Sequence, residues 1–173
     1  MQKGKTEYLQ AARQLQTGLG IHMLDLGCCT ELDYDAFFAE NPDLEITGIA
    51  EEKRLNMLLL KNSGKRIEHL RLVFEDFWKV DMRKAQYDFV LSDVLTSPYS
   101  RKERVSLYKR IYNALKEHGI YVQCDFKGRP FDTMVEASIE VAEQIALFLE
   151  AGFDMVEKIP ISKETILLKA VKK

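Results

Sequence analysis

No apolar run in this 173-residue chain approaches the roughly 20 residues needed to cross a bilayer as a helix. The first residues, MQKGKTEYLQ, are polar and do not form a signal peptide. The expected location is the cytoplasm. Cysteine is scarce: Cys28, Cys29 and Cys124 are the three present. An odd count that includes an adjacent pair is a poor start for a disulfide framework, so reduced thiols are expected. There is no C-x-x-C pair, and the reading is no metal, although Cys28 and Cys29 with His22 nearby are the one group that could hold an ion. Neither charge sign is in excess. Lys and Arg number 25 and Asp and Glu 27, a net charge of −2, so nucleic-acid binding would need a local patch. The chain also lacks G-x-G-x-x-G, which argues against a nicotinamide dehydrogenase, and G-x-x-x-x-G-K-[ST], which argues against a P-loop enzyme. No internal repeat, low-complexity segment or linker is visible.

What is present is a globular profile, 46% hydrophobic and 30% charged, long enough to bury a core without staples. Thr6–Gln16 has Tyr8, Leu9, Ala12 and Leu15 at helical spacing and ends at Gly18 and Gly20. Ile21–Leu26 is an apolar strand, followed by a tight turn at Gly27 and a short helix over Asp33–Glu40 with Phe37 and Phe38 on one side. Leu44–Ala50 is the second strand. A helix follows from Glu51 to about Asn62, its acids suited to the positive end of the helix dipole.

His69–Phe74 and Tyr87–Ser92 are the third and fourth strands, the latter nearly continuous in apolar residues, as a strand buried on both faces is. A long amphipathic helix is expected over Arg101–His118, then a fifth strand, Ile120–Phe126, and a helix from about Thr133 to Ala151. Phe153–Ile159 and Glu164–Val171 read as a closing hairpin. Alternating strands and helices call for an α/β fold: a mostly parallel sheet with helices on both faces.

The residues Asp25-Leu26-Gly27-Cys28 resemble motif I of the class I S-adenosylmethionine-dependent methyltransferases, hydrophobics-D-L-G-C-G-x-G. Three later stretches resemble the same family: Gly48-Ile49, Leu115-Lys116 before Gly119, and Ala151-Gly152-Phe153. The resemblance runs from about Ile21 to Val171. It implies a three-layer Rossmann-like sandwich with a seven-stranded sheet and a C-terminal antiparallel hairpin. Residues 1–20 would form an N-terminal helical segment, and 21–173 a single methyltransferase-like domain. The N-terminal helix would pack on the sheet or partly close the cofactor cleft.

The resemblance implies S-adenosylmethionine as cofactor, with Asp25, Gly27, Cys28 and Cys29 around its methionine part and ribose edge. Glu51 would take the ribose hydroxyls, since a carboxylate accepts two hydrogen bonds from a vicinal diol; its other reading is a helix N-terminal acid. Asp76 and Phe77 would meet the adenine, or form a solvated turn with apolar residues beneath it. Ser92 would face the cofactor. Asp93 is the weak catalytic candidate, as a base that orients or deprotonates the acceptor or as an acid that fixes its own loop.

The acceptor is expected to be a small molecule. The D/N-P-P-Y/F signature of nucleic-acid amino-methylating enzymes is absent after strand four, where Ser97-Pro98-Tyr99 lies too far on, so nucleic acid is disfavoured. Basic residues at Lys61, Lys65, Arg66 and Arg71, and at Arg101, Lys102 and Arg104, could meet phosphates, but such runs are usually solvated faces. Cys29 and Glu31 replace two family glycines, and Ala50 replaces its usual acid. These substitutions motivate the alternative, a catalytically inactive member of the fold serving as a binding or regulatory partner.

Overall fold

A computed structural model of the chain describes residues 9–27, 34–50, 66–92, 99–126, 141–161 and 165–173, with Ala50, 124–126 and Thr165 described by backbone only. Its strands are β1 (His22–Leu26), β2 (Glu45–Ala50), β3 (Leu70–Phe74), β4 (Tyr87–Ser92), β5 (Leu115–Phe126), β6 (Met155–Pro160) and β7 (Thr165–Val171). Its helices are α1 (Asp35–Glu40), α2 (Arg101–Ala114) and α3 (Val141–Ala151). The strands form a seven-stranded sheet in the order β3-β2-β1-β4-β5-β7-β6. The pairs from β3 to β5 are parallel, and β7 is antiparallel to both β5 and β6. The α/β class, the mostly parallel sheet and the terminal antiparallel hairpin are as the sequence implies.

Side chains alternate across a strand, and the two faces of this sheet carry two apolar clusters. Met23, Phe89, Leu91 and Val122 face one side, where they meet Phe37 and Phe38 of α1 together with Ala11, Ala12 and Leu15. Phe37 and Phe89 meet edge-on, with centroids 6.3 Å apart, a geometry that adds about 0.5–1.5 kcal/mol beyond burial. Residues 9–12 are helical, and the N-terminal segment is further tied down where Lys169 Nζ donates to Gln14 Oε1 at 3.1 Å. Its buried residues pack against the sheet. Leu24, Leu26, Val90 and Tyr121 face the other side, under Leu107, Tyr108 and Ile111 of α2 and Leu147 and Phe148 of α3. Helices thus cover both faces.

The expected helix Arg101–His118 ends earlier, at Ala114, where Leu115 turns to an extended conformation. Tertiary partners stop it. The N–H groups of Ala85 and Gln86 donate to the carbonyls of Asn113 and Ala114 at 2.9 and 2.8 Å. Lys172 Nζ donates to the carbonyls of Tyr112 and Leu115 at 2.8 and 2.7 Å. The last turn therefore finds its acceptors' partners outside the helix, and the chain passes directly into β5. Burial, then the nearby charge of Lys84, holds the Lys172 ammonium below its ordinary pKa. The N-terminal helix expected to reach Gln16 ends at Ala12, and β5 begins at Leu115 instead of Ile120; the other described boundaries differ by at most two residues. Ile67–His69 forms a 3-10 turn before β3, and Pro160 belongs to β6, an edge strand where proline's missing N–H is tolerated. The expected helix at Glu51–Asn62 lies outside the described residues, as does the first part of the helix expected from Thr133.

Candidate functional site

Parallel strands β1, β2, β3 and β4 all end at one edge of the sheet, and β5 ends there too. In open α/β sheets ligands lie beyond these carboxyl ends. β1 is central, and its last residues set the site. Asp25 is 1% exposed, in register with Gly48 of β2 and Leu91 of β4. Its Oδ2 accepts a 2.7 Å hydrogen bond from the Tyr34 hydroxyl, which joins the end of β1 to the start of α1. A carboxylate placed so deep needs such donors, because burying it unpaired costs several kcal/mol.

Gly27 follows at φ 76°, a left-handed conformation that favours glycine. Its N–H donates to the Ile49 carbonyl at 2.8 Å, so the turn is anchored to β2 as the chain leaves the sheet. Ser92, 1% exposed at the end of β4, lies beside Leu26 of β1 and Gln123 of β5. Gln123 is 4% exposed and accepts from the Tyr121 hydroxyl at 2.8 Å. The carboxyl edge therefore carries Asp25 on one face, and Ser92 and Gln123 on the other.

Past β3, Asp76 begins a tight turn. Its Oδ1 accepts from the Trp78 N–H at 2.9 Å, its carbonyl accepts from Lys79 and Val80, and its Oδ2 lies 3.7 Å from Lys79 Nζ. Phe77 and Trp78 are half-buried against the α2 side of the core. Their rings are 5.2 Å apart, and Trp78 lies 4.4 Å from Tyr99. Arg110 of α2 holds this turn from below, donating to the carbonyls of Phe77 at 3.2 Å, Trp78 at 2.6 Å, and Val80.

α2 begins at a capping box. Ser100 Oγ accepts from the Glu103 N–H, and the Glu103 carboxylate accepts from the Ser100 N–H at 2.8 Å and hydroxyl at 2.6 Å. These bonds hold the Glu103 carboxyl below its ordinary pKa.

The sequence-derived candidates Asp25, Gly27, Ser92, Asp76 and Phe77 all fall at this carboxyl edge. Cys28, Cys29, Glu51 and Asp93 lie outside the described residues. Tyr34, Gln123 and Arg110 were not singled out from sequence. Gln123 carries a signal, a polar residue on the buried face of an apolar strand, two positions from Tyr121. Tyr34 and Arg110 carry none, because their roles come from contacts 9 and about 30 residues away in the chain. Of the basic runs, Arg66 and Arg71 are exposed, whereas Arg104 is buried. Among the described residues there is no cluster of His, Cys, Asp and Glu able to hold a metal ion, and no helix long and apolar enough to cross a membrane.

No protein-family model matches the sequence, and no curated protein matches it significantly. Solved structures do match. A proposed O-methyltransferase from Nostoc punctiforme superposes with a TM-score of 0.78 at 18% identity, covering 96% of this chain and 55% of that one. Haemonchus contortus phosphoethanolamine N-methyltransferase 2, solved with S-adenosyl-L-methionine, gives 0.75 at 13% identity, covering 98% and 52%. Human N-acetylserotonin methyltransferase, also solved with the cofactor, gives 0.69 at 16%, covering 87% and 47%.

The chain has the class I methyltransferase fold. It spans about half the length of each of these three proteins. The end of β1 with its glycine turn, the end of β2, the turn after β3 and the end of β4 lie together at one edge of the sheet. The described residues fit an adenosyl cofactor there. A buried acid ends β1, a glycine at positive φ leaves the turn free of a side chain, and an aromatic pair follows β3.

Proposed function

We propose that the chain binds S-adenosylmethionine at the carboxyl ends of β1 to β4 and catalyses methyl transfer to a small-molecule acceptor. The observation that carries this is the pairing of buried Asp25 with Gly27 at φ 76° at the end of the central strand. Neighbours of the same fold were solved with this cofactor. The cofactor, when bound, supplies an electrophilic methyl on a sulfonium centre. The protein's contribution is alignment and exclusion of water.

In this reading Asp25, held by Tyr34, fixes the polar wall of the cleft. Gly27, Cys28 and Cys29 line the turn, Glu51 takes the ribose hydroxyls, and Asp76 with Phe77 bounds the adenine. Ser92 lies between cofactor and acceptor, and Asp93 orients the acceptor or takes its proton. The N-terminal segment, helical over residues 9–12, packs on a single methyltransferase-like domain in this reading. The cytoplasm is the proposed location.

Titration of the wild type and Asp25→Ala with S-adenosylmethionine tests the assignment. Binding by the wild type and its loss in a folded variant is the expected result; equal affinity removes Asp25 from the site. The alternative, a partner protein of the same fold without activity, draws on Cys29, Glu31 and Ala50 at positions where the family has glycines and an acid. Cofactor binding without turnover of any acceptor favours it.

A further inference from the structure

Three arginines on α2 face different fates. Arg101 is half-exposed and pairs closely with Glu150 of α3. Arg110 is held by three backbone carbonyls. Arg104 has neither arrangement. Its side chain is 8% exposed, and among the described residues its one side-chain polar contact is Nη2 to Glu143 Oε1 at 3.4 Å. That is well beyond the roughly 2.7–2.9 Å of a good charge-assisted bond. Its Nε and Nη1 are buried with no hydrogen-bond partner among the described residues. A buried guanidinium so poorly matched is costly, and a native chain that keeps one needs a reason for it.

Position supplies the reason. Arg104 lies one turn inside α2 from its cap at Ser100, on the carboxyl side of the sheet where ligands bind. The same face of α2, one turn on, carries Tyr108, whose hydroxyl accepts from the buried Gln144 amide. The two partners of the ion pair differ sharply. Arg104 is buried, while the Glu143 side chain is 46% exposed. The carboxylate is the exchangeable member.

We propose that Arg104 is the anion-recognition residue for the acceptor, and that Glu143 is an internal carboxylate which the carboxylate of a small acceptor replaces. A guanidinium presents a planar fork that matches a carboxylate through two parallel bonds. The incoming group takes the donors that Glu143 leaves unmet, and Glu143 turns to water. A monocarboxylate is favoured over a phosphate, because the group it replaces carries one negative charge and the cation supplies one positive charge. This deepens the methyl-transfer reading by naming the acceptor's chemical class, and the word acceptor rests on that reading. The carboxylate site itself does not.

The test is titration of the full chain, by ligand-detected NMR, with benzoate and with benzamide as its neutral counterpart, in the presence and absence of S-adenosylmethionine. Benzoate is expected to bind at least tenfold more tightly than benzamide. Arg104→Met removes that preference, and Glu143→Gln strengthens benzoate binding by about tenfold or more by removing the competing charge. Arg104→Lys, which keeps the charge and loses the fork, serves if the methionine variant does not fold, and is expected to weaken benzoate by at least tenfold. Equal binding of benzoate and benzamide, an Arg104 variant that binds like the wild type, or a Glu143→Gln variant that binds no better overturns the proposal. A protein that takes benzoate through Arg104 but ignores S-adenosylmethionine keeps this site and refutes the methyl-transfer reading instead.

Discussion

Removing the Tyr34 hydroxyl is the sharpest probe of how the end of β1 is held. Tyr34→Phe keeps the ring, which is 1% exposed and meets Phe37 edge-on at 6.4 Å, so packing is preserved. What goes is the 2.7 Å bond to the buried carboxylate of Asp25. A hydrogen bond to a charged group contributes about 1.5–3 kcal/mol net, and a carboxylate left short of a donor in the interior lies toward the upper end. For a chain of this size each kcal/mol moves the melting temperature by about 2–4 °C. The expected loss is therefore about 3–12 °C, with a lower urea midpoint and an unchanged slope. The assay is urea unfolding followed by circular dichroism, with thermal melts in parallel. Asp25→Asn in the same background isolates the pair: in a double-mutant cycle the two changes should be strongly non-additive. A loss under about 0.5 kcal/mol, typical of surface changes, would refute the view that Tyr34 supports this acid.

Three further outcomes are expected. Gly119→Ala places a Cβ 2.9 Å from both Leu115 Cδ2 and the Lys116 carbonyl oxygen; since backbone must shift, a loss of about 1–3 kcal/mol is expected in urea unfolding, and a neutral result would show the turn yields freely. Arg110→Met removes the donors that hold the carbonyls of Phe77, Trp78 and Val80, so Trp78 fluorescence and amide exchange at 76–80 should both change, whereas unaltered exchange would mean the turn holds itself. Because the Glu103 carboxyl sits below its ordinary value of 4.5 through its bonds to Ser100, its contribution is present above that value and is lost as pH falls through the lower, folded one. Glu103→Gln should flatten that part of the stability profile below about 4.5, and an identical profile would count against the capping box as its source.

The strands were legible because their local chemistry and their environment agree. Tyr87–Ser92 is apolar on both faces and is buried at its centre between β1 and β5, which explains why its limits match the expected ones residue for residue. The long helix was misjudged at its end because nothing in Leu115-Lys116-Glu117-His118 opposes helix. Its stop comes from Ala85, Gln86 and Lys172, remote residues that satisfy the last carbonyls. The site divides in the same way. Asp25 and Gly27 announce themselves by an acid and a glycine closing an apolar run. The contribution of Tyr34 depends on a turn bringing it back to Asp25, and the burial of Arg104 depends on α3 lying alongside α2. Arg104 looked like one of a solvated basic run, since only the packing of two helices distinguishes it from Arg101.

Calorimetric titration of the purified wild type with S-adenosylmethionine tests the central claim most directly. The account predicts saturable binding in the micromolar range, about −8 kcal/mol, weakened by Asp25→Ala. A folded protein that gives no heat of binding at millimolar cofactor would contradict it.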